Sequence, residues 1–169
     1  MRRALDALYL GAAYAAALCM VLTLAAVLAN IFDRFVAMPL RGLDAYAGYA
    51  MAGAGFLALA HTLKRGEHIR VTVVLGAVSP RLRHALELGS LACACVLSGA
   101  LAWFSVRLVL NSIDYHDIST GNDATPLWIP QLAMAAGTCI FFIAFVDEFV
   151  LRLRGVQAPA EAGAALHME

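Results

Sequence analysis

Four long apolar stretches constrain this chain more than any other feature. They run from Leu5 to Phe32, from Ala45 to Leu63, from about Leu86 to Leu110, and from Leu127 to Val150. A helix needs about 20 apolar residues to cross the hydrocarbon core of a bilayer. Backbone groups in that core must bond to one another, so segments of this kind fold as helices. The sequence therefore predicts an all-α integral membrane protein with four transmembrane helices.

Composition excludes most other classes of protein. Hydrophobic residues make up 62% of the chain and charged residues 14%, whereas soluble domains carry about 45–50% and about 25%. These charges are too few to cover a globule in water. The formal net charge is +0, which does not suggest a nucleic-acid partner. The first stretch is also much longer than the apolar core of a signal peptide, about 7–15 residues, so we expect it to be a membrane helix.

The segment between the second and third helices has its own pattern. Ile69 to Leu75 is apolar but too short to span a bilayer, and it follows a polar break. We therefore expect a short segment that lies along the inner membrane interface. Ser79 and Pro80 are typical of a helix start, so the third helix is predicted to begin near Pro80. The chain is predicted to form a single membrane domain over 1–169, with helices at about 5–32, 45–63, 80–110 and 127–150 and a polar tail at 155–169.

Positive charge is distributed unevenly among the loops. With the amino terminus inside, nine Lys and Arg residues lie on the inner side, against two outside, or three with Arg107. The third loop, from Asn111 to Pro126, has three aspartates and no Lys or Arg. Because positive residues favour the cytoplasmic side, both termini are predicted to be cytoplasmic. Tyr115 and Trp128 then lie near the outer interface, where aromatic rings are enriched.

The second apolar stretch is rich in small residues. Gly48 with Ala52, and Ala50 with Ala54, are small residues four apart. Such faces let helices approach closely in lipid. They serve equally for packing within this chain or on another subunit, and the sequence leaves both interpretations open.

Nothing in the sequence indicates chemistry within the membrane. The four cysteines lie inside predicted helices without zinc-site spacing, and we interpret them as small apolar packing residues. His61 and His84 lie near helix ends and His116 lies in a loop, which is unlike the paired central histidines of a haem-binding bundle. No predicted helix carries a charge at its centre, where transport pathways usually have one. We therefore expect no catalytic, substrate-binding or metal site and no cofactor, and a membrane protein that assists another.

The run from His61 to Val71 resembles a known signature. Its residues, HTLKRGEHIRV, are similar to those of the small permease subunit of tripartite ATP-independent periplasmic (TRAP) transporters. Arg34 after the first helix, Asp44 at the start of the second, and Thr125 to Ala133 with the following Gly137 also resemble the family. The resemblance extends from about Arg34 to Arg154 and includes the four-helix layout.

This resemblance implies a function. In the family, the small subunit pairs with a large multi-helix permease as a heterodimer in the bacterial inner membrane. A periplasmic binding protein delivers the solute, commonly an organic acid, and an ion gradient drives uptake. The small subunit is not an enzyme and would brace the large one. Membrane lipid is the remaining expected partner.

Six residues are the candidates for a subunit interface or a structural role. Plain interfacial solvation is an equal alternative for Arg34 and Asp44. For Arg65, the alternative is that its positive charge only sets the orientation of the chain. Two other functions also remain open: a membrane anchor of a redox enzyme, and a small oligomeric exporter. The six candidates are Arg34, Asp44, Arg65, Glu67, His68 and Trp128.

Overall fold

Four α-helices form the structure, a computed structural model that describes residues 2–36, 42–65, 80–121 and 123–154. They are α1 (Arg2–Val36), α2 (Leu43–Lys64), α3 (Pro80–Asp114) and α4 (Trp128–Leu153). Every predicted helix is confirmed, and each end lies within four residues of its predicted position. The third helix begins at Pro80, as its sequence predicts. The predicted interfacial segment and the polar tail lie outside the described residues.

The helices differ in how well they fit a membrane. Among the described residues, α1, α3 and α4 are long and apolar enough to cross one. Helices α1 and α3 have 35 residues each, about 52 Å of helix, which exceeds the roughly 30 Å core of a bilayer. Helix α2 has 22 residues, enough for about 33 Å, but its alanines, glycines and tyrosines make it less apolar. A membrane span by α2 therefore stays a prediction.

The helices pack in a row rather than in a closed bundle. Helix α2 packs against α1 on one side and α4 on the other, and α3 packs against α4. Contact between α1 and α4 is slight. The spatial order is thus α1, α2, α4, α3, which leaves α1 and α3 at the two ends of the row and exposes two broad faces.

Small side chains fill the contacts, and large apolar side chains point outward. Val96 is 72% exposed, Trp103 69% and Tyr14 69%. A soluble protein buries such residues, whereas a lipid solvent accepts them and leaves small residues to mediate close helix contacts. The buried hydrophobic residues are Tyr9, Ala12, Ala16, Ala47, Ala54, Ala60, Ala102, Val109, Ala135 and Ala144.

Helices α2 and α4 approach each other most closely at Gly137. A Cβ atom on Gly137 would lie 2.6 Å from the carbonyl carbon and oxygen of Phe56 on α2, so the two backbones touch there. Gly53 lies between α1 and α4, where its Cβ would be 3.4 Å from Cys19 Sγ and 3.4 Å from Ala133 Cβ. Glycine thus permits the tight row that the α2 sequence suggested.

The two small-residue pairs of α2 have different surroundings. Ala54 is 4% exposed and faces the interior of the row. Gly48 and Ala52 are exposed, and a Cβ on Gly48 would meet nothing within 4 Å. Packing within the chain therefore accounts for one pair, and the other lies on an open face.

Helix α3 contacts α4 through a seam of small residues. Gly99 lies on this seam, where a Cβ would be 3.0 Å from Cε2 of Phe142 on α4. The Ser98 hydroxyl donates to the Ala94 carbonyl at 2.7 Å, which satisfies a buried polar group within its own helix. The buried seam residues recur every three or four positions and are Ser98, Ala102, Ser105, Val109 and Ser112.

Candidate functional site: charged helix ends and the α3–α4 loop

Lys64, the last residue of α2, contacts two carboxylates of α4. We call the end of the row that holds Lys64 the inner end and the opposite end, with the α3–α4 loop, the outer end. The Lys64 ammonium contacts Asp147 and lies 3.5 Å from Oε2 of Glu148. The side chains of Lys64, Asp147 and Glu148 are 20%, 24% and 12% exposed. Partial burial strengthens the attraction between such charges relative to a fully solvated pair.

Tyr9 brings α1 into the same contact. Its ring centroid lies 5.5 Å from the Lys64 ammonium, a cation–π distance. Tyr9 is 4% exposed and packs with Ala60 of α2 and Ala144 of α4. Its hydroxyl has no hydrogen-bond partner among the described residues. Three helices therefore converge on one lysine.

A second ion pair joins α3 to α4 at the same end. The Arg152 guanidinium contacts the Glu87 carboxylate, and both side chains are less than a fifth exposed. Guanidinium and carboxylate form strong, directional hydrogen bonds. We call Lys64, Glu87, Asp147, Glu148 and Arg152 the inner-end charge cluster. It ties α2, α4 and α3 together across helix boundaries.

Asp123 organises the outer end, where the α3–α4 loop meets α2. Oδ1 of Asp123 lies 2.8 Å from the Ser119 hydroxyl, which donates to it. The Tyr49 hydroxyl of α2 lies 3.0 Å from Oδ2 of Asp123 and 3.0 Å from Ser119 Oγ. Because an ionised carboxylate can only accept, the single Tyr49 proton is donated to Asp123. Ser119 Oγ in turn accepts the Gly121 N–H at 3.2 Å.

These hydrogen bonds favour the ionised form of Asp123. The bond from Ser119, followed by those from Thr125 and Tyr49, lowers the pKa of Asp123 from 3.8 to about 2. Thr125 Oγ1 also lies 3.2 Å from the Tyr46 hydroxyl oxygen. The carboxylate therefore stays charged at any physiological pH and holds the loop against α2.

The α3–α4 loop is also shaped by its own backbone. Ser119 N–H donates to the Thr125 carbonyl at 2.8 Å, and Leu127 N–H donates to the Asp117 carbonyl at 3.0 Å. Gly42 of the α1–α2 connection lies against this loop, since a Cβ there would be 2.7 Å from Asp123 Cβ. Gly42 has φ 86°, a left-handed conformation that glycine adopts without strain. Two loops thus meet at Gly42 and Asp123.

An open cleft of about 360 Å³ lies between the end of α3 and the start of α4. Trp128, the first residue of α4, is 37% exposed and forms part of its wall. The cleft is largely apolar. Its lining consists of Ser112, Ile113, His116, Asp117, Ile118, Pro126 and Trp128.

The four described candidates predicted from sequence are scattered over both ends of the row. Asp44 lies exposed in the first turn of α2, and Arg65 caps the end of α2 and is exposed. Arg34 lies in the last turn of α1. Trp128 lies at the cleft, while Glu67 and His68 fall outside the described residues. Among the described residues, the structure does not bring these candidates into one site.

Sequence reasoning missed the contacts that join helices. It named no ion pair between helices, whereas the structure places Arg152 of α4 against Glu87 of α3. It treated Lys64 as an orientation signal, whereas Lys64 is the centre of three helix contacts. The available signal was the presence of opposite charges at the same predicted depth in helices two, three and four.

The described residues form contacts between helices at both ends of the row. Within 2–36, 42–65, 80–121 and 123–154, no three His, Cys, Asp or Glu side chains converge to hold a metal ion. The four cysteines are free; Cys93 is exposed and the other three are partly buried. The inner-end charge cluster and the contacts of Asp123 hold the helices of the row in a fixed order.

Comparison with known proteins identifies the family. Residues 23–155 match the family described as tripartite ATP-independent periplasmic transporters, DctQ component, and this range includes the last 14 residues of α1 and all of α2, α3 and α4. No curated protein and no solved structure gives a significant match. The charged helix ends, the outward-facing apolar side chains and this match agree with the resemblance carried by the run from His61 to Val71. The chain is a membrane protein that belongs to the DctQ family, the small component of TRAP transporters.

Proposed function

We propose that this chain braces the large permease subunit of a TRAP transporter in the bacterial inner membrane. In this proposal the chain is a single multi-pass membrane domain, α2 is the fourth span, and both termini are cytoplasmic. The excess of positive charge at the inner end supports this orientation. The chain itself catalyses no reaction, and the solute and ion sites belong to the large subunit.

The observation that carries the proposal is the inner-end charge cluster. A bracing subunit must keep its shape while its partner moves, so its helices need contacts that resist sliding. Lys64 with Asp147, and Arg152 with Glu87, join three helices of the row. Asp123 with Tyr49 joins the α3–α4 loop to α2 at the outer end. Ties at both ends of α2 and α4 oppose a shift of either helix along its axis.

The row also has a surface that suits a partner. The exposed face of α2 carries Gly48 and Gly55, and a Cβ on either would meet nothing within 4 Å. Small residues permit a second subunit to approach closely in lipid. Asp44 and Arg65 lie exposed at the two ends of α2, where they are available for polar contacts with that subunit. Arg34, Glu67, His68 and Trp128 complete the proposed interface or structural set.

The transport role follows from the family. A periplasmic binding protein would deliver an organic acid to the permease, and an ion gradient would drive its uptake. We assign the solute and ion specificity to the other two components, because the described residues of this chain offer packing surfaces and paired charges. Membrane lipid covers the remaining apolar surface.

Co-purification with the large permease tests this proposal. Glu67 lies in the family run, and a carboxylate there can make charge-assisted bonds that contribute about 1.5–3 kcal/mol. Loss of that amount weakens pairing by about ten- to a hundredfold. We expect Glu67→Ala to lower both permease yield in a pull-down and solute uptake in proteoliposomes.

Arg65→Ala is the matched control, because Lys64 and Arg70 preserve local positive charge. It should reduce pairing and uptake less than Glu67→Ala does at equal expression. If the wild-type chain fails to co-purify with a permease and leaves uptake unchanged, the bracing role is wrong. If only the Glu67→Ala effect is missing, the role stands and Glu67 is not part of the interface.

A further inference from the structure

Arg107 is a cation flanked by apolar residues on the exposed face of α3. The opposite side of the helix carries the buried seam that contacts α4, with Ser105 at 4% exposed. Arg107 itself is exposed, and its neighbours one turn away on the same face are Trp103 at 69% and Leu110 at 55% exposed. Arg107 makes no hydrogen bond or ion pair with any residue that the structure describes. No described residue therefore compensates its charge.

The depth of Arg107 follows from its position relative to α4. Trp128 at the start of α4 and Ile113 near the end of α3 line the same cleft, so both lie at the outer end of the row. From Trp128 to Asp147 the chain advances nineteen residues, about 28 Å of helix, which matches a hydrocarbon core of about 30 Å. Arg107 lies six residues before Ile113, about 9 Å inside this outer boundary. A bare guanidinium at that depth is unfavourable.

A phospholipid phosphate is the anion that fits this position. The long arginine side chain lets its charged end approach the headgroup region while its stem stays in lipid. Its planar fork of donors matches phosphate oxygens. The large exposed side chains beside it, Trp103 and Leu110, are typical of a lipid-facing surface. A tightly packed helix interface would instead carry small residues, as the open face of α2 does.

A second polar residue extends the site toward water. Asp114 lies seven residues after Arg107, two turns further out on the same face, and is exposed. Its carboxylate makes no hydrogen bond or ion pair with the described residues. We propose that Arg107 and Asp114 form a headgroup site for phosphatidylethanolamine, with the phosphate on Arg107 and the primary amine on Asp114. The inference requires that α3 spans a membrane, but it does not require a permease partner.

Tryptophan quenching measures occupancy at this site. The chain has 2 tryptophans, so Trp128→Phe leaves Trp103, one turn from Arg107, as the reporter. The full chain in this background is reconstituted into dibrominated phosphatidylcholine, which quenches Trp103, with increasing dioleoylphosphatidylethanolamine. Displacement of the quenching lipid gives the affinity of one headgroup relative to the other. We expect phosphatidylethanolamine to bind about three- to tenfold more tightly.

Three variants decide the assignment. Arg107→Leu fits a lipid-facing position without loss of folding and should abolish the headgroup preference. Asp114→Asn should also lower the preference, because the amide has no charge for the amine. Arg154→Leu removes an exposed arginine at the inner end and should leave the preference unchanged. An equal affinity of the two lipids in the parent chain would overturn the proposal.

The competing interpretation is that Arg107 pairs with a carboxylate of the large permease rather than with lipid. If Arg107→Leu leaves lipid preference unchanged but lowers co-purification with the large permease, Arg107 pairs with protein and the lipid site is wrong. If lipid preference is lost while the permease still co-purifies, the headgroup site is supported. Failure of the bracing role would change neither lipid measurement, so the two proposals can be separated.

Discussion

The Lys64 ammonium at the end of α2 contacts the Asp147 carboxylate of α4 and lies over the Tyr9 ring of α1. One side chain therefore joins the three helices at one side of the row. Glu148 also lies 3.5 Å from the Lys64 ammonium. Removal of Lys64 would therefore leave two neighbouring carboxylates without that cation. The contact lies at the inner end, where the largest number of positive residues is predicted.

Replacement of Lys64 tests how much this contact stabilises the row. Lys64→Met keeps the length of the side chain and removes its charge. We expect a loss of about 1.5–3 kcal/mol and a fall in Tm of roughly 4–10 °C for a chain of this size. Thermal unfolding of the full chain in one detergent measures this fall in Tm. Arg65→Met, at an exposed neighbour, should change stability by about 0.5 kcal/mol or less; equal effects would contradict the central role of Lys64.

The coupling between Glu87 and Arg152 is measured by a double-mutant cycle. Because the two side chains contact each other across α3 and α4, Glu87→Gln and Arg152→Gln should be non-additive by about 0.5–3 kcal/mol. The control cycle pairs Glu87→Gln with Arg154→Gln, since Arg154 is exposed and two residues away along α4. Additive effects in the first cycle would show that the pair does not join the helices in solution.

Gly137 sets the distance between α2 and α4. Gly137→Ala would place a Cβ 2.6 Å from the Phe56 backbone, and a backbone cannot rotate away as a side chain can. We expect a loss of about 1–3 kcal/mol by overpacking, read from thermal unfolding. Gly48→Ala is the matched control on the open face of α2. It should be neutral or stabilising by up to about 1 kcal/mol, and destabilisation equal to that of Gly137→Ala would contradict the close approach.

The Asp123 network predicts a specific dependence on pH. Its pKa is lowered from 3.8 to about 2, so its contribution to stability is full above pH 3.8. The contribution is lost as the pH falls through about 2, when the folded carboxylate takes up a proton. The ¹³C carboxyl shift of Asp123, followed against pH in micelles, measures the pKa of this carboxyl group. Ser119→Ala should raise the pKa of Asp123 most, since the Ser119 bond is the largest cause, and Tyr49→Phe should raise it less; an unshifted pKa in Ser119→Ala would contradict the network.

The orientation of the chain is tested by labelling. Thr120 in the α3–α4 loop and Arg65 at the end of α2 are both exposed and lie at opposite ends of the row. In a variant without the four native cysteines, single cysteines replace each in turn. In cells with a permeabilised outer membrane, an impermeant maleimide should label position 120 and not position 65. The reverse pattern would place the termini outside.

The positions of the helices could be predicted because they depend on local sequence. Apolar length determines where a helix can lie in lipid, and Pro80 determines where α3 begins, so these features agree with the structure. The small residues of α2 likewise indicated close packing. Gly137 was noted only as part of a family pattern, and its contact with Phe56 could not be predicted, because that contact depends on which helix is the neighbour.

The candidate residues also divide into those set by local sequence and those set by which helices are neighbours. Asp44, Arg65 and Trp128 were identified from local pattern, and they lie at helix ends as such patterns imply. The pairs Lys64–Asp147 and Glu87–Arg152 join residues 83 and 65 positions apart. Many alternative pairings of inner-end charges satisfy the same sequence, so the correct pairs require the helix order.

The sequence by itself determined that this chain has four helices, is apolar enough for a membrane, and belongs with the small TRAP components. Those properties follow from hydropathy, helix-start residues and one family run. Tertiary structure decided that the helices form a row in the order α1, α2, α4, α3, which charges pair, and which glycines lie at contacts. The physical reason is that lipid is itself apolar, so backbone approach and cross-helix polar contacts, rather than burial of apolar surface from water, select the neighbours.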